Sequence, residues 1–289
     1  NMKQVRKILP ALAILAFLCV FCTLLTAAAD TITVSSETDL QNAVTTLAKT
    51  GGTIRFAGDI STSGAVTLPV NRARITIDGG GYTLGMHGSL TLNGDMDFTN
   101  ILFYNERNTW TTGDYISVFC GGHDVHFWDT VACSKAGLAY PSIMTGYAGN
   151  AAFTGGSLTI DGGTWQRVRG GNAGTGAVLQ IGSVVINGGS ITEFLQICGA
   201  GACAPGSRFD VTVNGGSIRN IRFFSTSATA DADTVLTVNG GEVAGRILLS
   251  TNQSGILNGD CTIRLLHGDF SGLTGIYDHA GGGSLKASL

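Results

Sequence analysis

Basic charge is scarce in this chain. Of its 289 residues, 17 are Lys or Arg and 20 are Asp or Glu. Beyond residue 29 the lysines reduce to Lys49, Lys135 and Lys286, and 14 basic residues face 20 acidic ones, a net charge of −6. The basic stripe that a nucleic-acid partner requires is therefore missing, and bulk charge disfavours capture of polyanions. Cys-x-x-Cys and zinc-spaced His/Cys pairs are also absent, so the cysteines read as structural rather than metal-binding. Helical periodicity is nearly absent too. A single stretch, residues 36–50, carries it.

A leader stands at the start. Lys3, Arg6 and Lys7 precede an apolar run from Ile8 to Leu25, and Ala27-Ala28-Ala29 supplies the small residues that a signal peptidase reads before Asp30. Residues 1–29 are expected to be removed, an uncleaved anchor being the alternative, since the run is nearly long enough to span. No other stretch is apolar enough to cross a bilayer, so no membrane contact is expected after cleavage, and the mature protein is expected to be secreted or displayed on the cell surface.

What is present in abundance is a repeat. Ile75-Thr76-Ile77-Asp78-Gly79-Gly80 returns as Leu158-Thr159-Ile160-Asp161-Gly162-Gly163, Val184-Val185-Ile186-Asn187-Gly188-Gly189, Val211-Thr212-Val213-Asn214-Gly215-Gly216 and Leu236-Thr237-Val238-Asn239-Gly240-Gly241. Weaker copies at Met96–Asn100, Val125–Asp129 and Arg264–Gly268 fill the gaps. A period in the twenties, built from short strands and glycine corners, predicts an all-β solenoid of about nine coils.

Alternation within each copy points one set of residues inward. Stacking then predicts an inner ladder of Ile77, Phe98, Phe127, Ile160, Ile186, Val213, Val238 and Leu266, with a second of Trp165, Ile191, Ile218 and Val243. The corner Asp or Asn is expected to hold the turn, its amide bonding the backbone of the coil above. Residues 36–50, with Thr38 and Gln41 as a capping box, are expected to cover the open end of the first coil. The division is residues 30–52 for a first strand and cap, 53–279 for the solenoid and 280–289 for a Gly/Ser-rich tail, whose bare end admits end-to-end self-association.

The cap leading to Gly51-Gly52-Thr53-Ile54, followed by Ile75 to Leu84, resembles the opening of right-handed parallel β-helix proteins of the pectate-lyase-like superfamily. The later Asn-Gly-Gly-Ser-Ile copies are similar to repeats of adhesin-like surface proteins of Gram-positive bacteria. The resemblance spans residues 33–278. It implies a right-handed parallel β-helix, and admits polysaccharide hydrolysis or calcium-dependent β-elimination. The polygalacturonase motifs Asn-Thr-Asp, Asp-Asp, Gly-His-Gly and Arg-Ile-Lys do not occur, Gly122-His123-Asp124 being the nearest approach. Lyases, whose motifs are looser, remain open.

Stacking also gathers chemistry. Asp95, Asp97, Asp124 and His126 fall on the outward face of neighbouring copies with Arg74 beside them, coils lying about 4.8 Å apart. Three carboxylates at that spacing suit calcium or the acid of a glycosidase. They equally suit strand starts after turns, as Asp210 and Asp233 do in coils without such a cluster. Tyr104, Trp110, Tyr115, Trp128, Tyr140 and Tyr147 crowd the two longest repeat intervals, with Trp128 at a corner otherwise held by Asp or Asn. Flat rings beside carboxylates suit a sugar, and rings packing down long loops are the alternative. Arg167 is expected to meet Glu193 of the next coil.

The reading is an exported protein that binds carbohydrate or another surface ligand through Trp110, Trp128, Tyr140, Tyr104 and the acidic patch. The alternatives are a polysaccharide lyase or glycosidase using Asp95, Asp97, Asp124, His126 and Arg74, and a structural spacer. No cofactor is called for beyond calcium at Asp95, Asp97 and Asp124. Among the five mature cysteines, Cys198 with Cys203 and Cys120 with Cys133 are candidate pairs, leaving Cys261 odd.

Overall fold

The computed structural model describes residues 30–107, 116–137, 139–199, 202–224, 229–250 and 255–279. Over them the chain winds as a parallel β-solenoid of about nine turns. Every strand pairing between coils is parallel, and three sheets run along the stack: two of eleven strands and one of four. The first sheet begins with Thr31–Val34 and climbs through Gly52–Phe56, Ile75–Asp78, Met96–Thr99, Val125–Phe127, Phe153–Ile160, Gln180–Ile186 and Cys203–Val213 to Thr229–Val238.

Like stacks on like because each coil repeats the same in–out alternation. Ile77 lies over Ile54, Phe98 over Ile77, Phe127 over Phe98 and Ile160 over Phe127, and the column continues through Ile186, Val213 and Val238. Each is at most 1% exposed. Burying one such side chain contributes about 1.5–3 kcal/mol, so the column is the spine of the fold. Phe98 and Phe127 stack with centroids 5.0 Å apart, and Trp165 meets Phe127 edge-on at 4.9 Å. The second ladder of Trp165, Ile191, Ile218 and Val243 is also in register.

Two expectations about these elements need correcting, and a third is met in a shifted register. The helix runs Glu37–Leu47 and is capped by Ser36, whose Oγ accepts from Asp39 N–H, so the cap is Ser36 rather than the Thr38/Gln41 pair. It does bury Leu40, Ala43, Val44 and Leu47 against the first coil. The inner ladder ends on Leu265, which pairs with Val238, while Leu266 turns outward at 57% exposure. A bulge after Trp165 shifts register so that Arg167 lies opposite Phe194, one position from Glu193. The Arg167–Glu193 contact forms nonetheless, through Nε at 2.7 Å and Nη2 at 2.5 Å.

The corners carry a side-chain ladder. Asn187 Nδ2 donates to Asp161 Oδ1 at 2.7 Å, Asn214 to Asn187 at 2.8 Å and Asn239 to Asn214 at 3.0 Å. The amides thus bond one another rather than the neighbouring backbone. Glycine follows by necessity: a Cβ on Gly188 or Gly215 would sit 2.3 Å from the corner carbonyl of the coil beneath.

Candidate functional site

The outward face of the first sheet brings the expected patch together. Asp97 stacks over Thr76 and under His126. Arg74 Nη1 donates to Asp97 Oδ1 at 2.7 Å, with its Nη2 3.8 Å from Asp124. Asp95 Oδ1 accepts Asp124 N–H at 3.0 Å, and Asp124 Oδ1 accepts the N–H and Oγ of Ser157 at 2.8 and 2.9 Å. Each carboxylate therefore already spends an oxygen on a protein donor, Asp95 and Asp124 on strand starts and Asp97 on the Arg74 side chain. Among the described residues no three His, Cys, Asp or Glu side chains converge as a metal cage. His123 stands in the turn before this strand, Nδ1 4.0 Å from Asp95, rather than in the core.

His126 is turned away from Asp97. Its Nε2 meets Asp161 Oδ2 at 2.6 Å, so Asp161 is shared between His126 and the first amide of the corner ladder. The ring of Trp128 lies over the imidazole with centroids 4.1 Å apart and planes 30° apart. Trp128 remains 44% exposed. A flat ring, braced from beneath and open above, results where other coils place a hydrogen-bonded Asn.

Beside this ring the corner opens. Trp128 and Val131 close a tight turn through Val131 N–H to Trp128 O at 2.9 Å. Thr130, inside that turn, accepts Asn100 N–H at 2.9 Å and contacts Thr99 Oγ1 at 2.9 Å. Thr130, Asn100, Asp78 and Arg55 line a groove of about 510 Å³, whose far wall is Leu102 and Ala132 of the four-stranded sheet. Arg55 donates through Nε at 3.0 Å and Nη2 at 2.5 Å to Asp78 Oδ2, while the other oxygen takes Gly80 N–H and the Asn100 amide. Burial pushes the Asp78 pKa upward, but these donors and the guanidinium charge outweigh it and hold the carboxyl below its ordinary value. Asn100 stands where later coils have glycine, and takes φ 49°, a conformation Asn tolerates. Tyr82 lies against the groove's edge: a Cβ on Gly80 would be 3.7 Å from its ring, which is 41% exposed.

The remaining expected residues divide. Tyr104 is half-buried on the outer face of the strand Leu102–Asn105, with the parity of groove-lining Leu102. Tyr140 lies elsewhere, its N–H on Gln166 Oε1 at 3.3 Å and Lys135 Nζ 4.5 Å above its ring. Trp110 and Tyr115 lie outside the described residues. The five described cysteines are free thiols. Cys120 follows a strand of the second large sheet and Cys133 lies in the four-stranded one, so that pair does not form. Cys198 and Cys203 are likewise unbridged. Arg55, Tyr82, Asn100 and Thr130 are unremarkable in the sequence taken one by one, and Asp78 reads there only as a turn-holder. Their one sequence signal is that Thr99-Asn100-Ile101 and Trp128-Asp129-Thr130 replace the Asn/Asp-Gly-Gly corner. Comparison with family models, curated proteins and solved structures returned no match.

Proposed function

We propose that this chain is an exported β-helix protein of pectate-lyase-like kind that binds carbohydrate through its outer face without turning it over. One observation carries the reading: Trp128, 44% exposed, is held flat over His126, which is itself fastened to Asp161. Packing alone does not favour leaving nearly half of an indole in solvent at this corner, where later coils place a ladder Asn. A sugar ring offers an apolar C–H face to an aromatic plane and hydroxyls to groups at its edge, and exposed Asp129 and Thr130 follow Trp128 in the chain. Preorganising the ring removes part of the ordering cost of binding. The leader at residues 1–29 supports export; mass spectrometry of the secreted protein should find Asp30 at its start.

The test is retention on a glycan array alongside an assay for released reducing or unsaturated ends. The wild type should be retained and release nothing, and Trp128→Ala should lose at least about tenfold in affinity, or 1.4 kcal/mol. Retention that is unchanged in Trp128→Ala overturns the reading. Released ends would establish the enzyme instead.

A further inference from the structure

We infer that the groove between Arg55, Asp78 and Thr130 is a second sugar subsite, so that the corner face takes a neutral oligosaccharide lying along the stacking direction. The inference rests on the carbohydrate reading of Trp128 and adds to it a location, a charge class and a length. The location follows from the broken corner code. From Asp161 onward the corner is filled by the amide ladder. In the coils of Asp78, Asn100 and Thr130 the continuous ladder gives way to a single Asn100–Asp78 bond, and the surface opens into a groove of about 510 Å³. Two exposed aromatics neighbour its lining residues without lining it themselves. Tyr82 follows groove-lining Gly80 and Gly81 in the chain, and Trp128 shares a turn with groove-lining Thr130.

The chemistry of the lining suits hydroxyls. Asp78 and Arg55 form a fixed carboxylate–guanidinium pair, with the Arg55 side chain 59% exposed at the groove wall. The Asp78 side chain is 9% exposed and its oxygens already accept four bonds, so the pair presents to the groove the remaining N–H donors of the Arg55 guanidinium, which suit the oxygens of sugar hydroxyls. Leu102 and Ala132 supply the apolar side. The pair is neutral overall, whereas the adjoining face carries Asp95, Asp97, Asp124, Asp129 and Asp161 against Arg74. That surplus repels a polyanion. Uronate chains and sulfated glycans are therefore excluded in favour of neutral hexose or pentose chains.

Length follows from register. Trp128 lies in the corner column over Thr99, and Thr99 over Asp78. Two coil steps are about 10 Å, more than a single sugar ring spans. A mono- or disaccharide engages one subsite, and a chain of three or more units engages both.

Titration calorimetry with gluco-, manno- and xylo-oligosaccharides of one to six units, against oligogalacturonate and chitosan oligomers, tests this. At least one neutral hexamer should bind at least about tenfold tighter than its disaccharide. Ala132→Ile, which fills the groove from an exposed strand position, and Tyr82→Ala should each remove most of that gain while leaving the disaccharide unchanged. Trp128→Ala should weaken both lengths. Thermal unfolding of each variant at the wild-type midpoint excludes misfolding, and Thr130→Val replaces any variant that unfolds early. If Trp128→Ala weakens binding while the groove variants leave the hexamer untouched, the subsite is overturned and the carbohydrate reading stands. Preference for oligogalacturonate overturns the charge class. If no oligosaccharide binds the wild type, both fall.

Discussion

Trp128 forgoes the ladder bond that a corner Asn makes and leaves nearly half its ring in solvent, so its removal is inexpensive to the fold. Trp128→Ala gives up the stacking on His126 and should lower unfolding free energy by about 0.5–1.5 kcal/mol, while reducing glycan retention as above. Asp161→Ala acts differently, because it frees both His126 and Asn187 from one carboxylate. Urea denaturation should record a loss of about 1–3 kcal/mol, and Trp fluorescence should shift as the ring loses its brace. Acid sensitivity is set at the same scale. Asp78 and Glu193 both have pKa values below the ordinary 3.8 and 4.5: burial works upward in each, and donors from Arg55 or from Arg167 and Gln166 outweigh it. A carboxyl depressed in the folded state contributes stability that is complete above the unfolded pKa and is lost as pH falls through the folded one. The thermal midpoint should therefore hold from neutrality to about pH 5 and decline below about pH 4. Asp78→Asn should lower the plateau and make the acid decline shallower, and an unchanged acid limb would remove Asp78 from this account.

Each coil carries its own copy of the folding instructions, and that is why the strands, the two inner ladders and the capping helix were legible. Alternation identifies Ile77 or Val213 as inward without reference to any other coil. The misreadings arose where a coil answers to its neighbour. The bulge after Trp165 displaces Arg167 onto Phe194, and the last copy slips by one so that Leu265 faces in. The groove was hidden because its residues are unremarkable one by one: Arg55, Asp78, Asn100 and Thr130 come from four successive coils, and only their stacking makes a cavity. Trp128 was legible as the departure from a repeated corner, the sort of local rule-breaking that marks a site. The elements also rank in cost. Phe127 is fully buried among Phe98, Phe103 and Trp165, so Phe127→Ala should cost about 3–5 kcal/mol. Asn214→Ala removes one donated and one accepted bond at an exposed corner and should cost about 1 kcal/mol, both measured by urea denaturation.

Along the whole stack, protection should be graded. A solenoid's stability is the sum of each coil's own terms and its contacts with the coils on either side. The first coil is covered by the helix, which buries Leu40, Ala43, Val44 and Leu47. Coils in the middle have neighbours on both faces, and Ile186, Val211, Val213 and Leu236 are at most 1% exposed. In the last described coil, Leu257, Ile263 and Leu265 occupy the same inward positions yet are only partly buried, and Ile256 and Leu266 are 52% and 57% exposed. Opening that coil exposes less new apolar surface and, among the described residues, breaks one inter-coil ladder rather than two. Hydrogen exchange followed by mass spectrometry should accordingly find the amides of Ile256–Asn258 and Cys261–Leu265 exchanging well before those of Gln180–Ile186 and Cys203–Val213. Ile263→Ala should cost clearly less than Ile186→Ala, for which a buried aliphatic truncation predicts about 2–5 kcal/mol. Equal protection of the two regions would mean that the last coil is covered in solution, and the exchange of Cys261–Leu265 at rising protein concentration would then show whether a second copy does the covering.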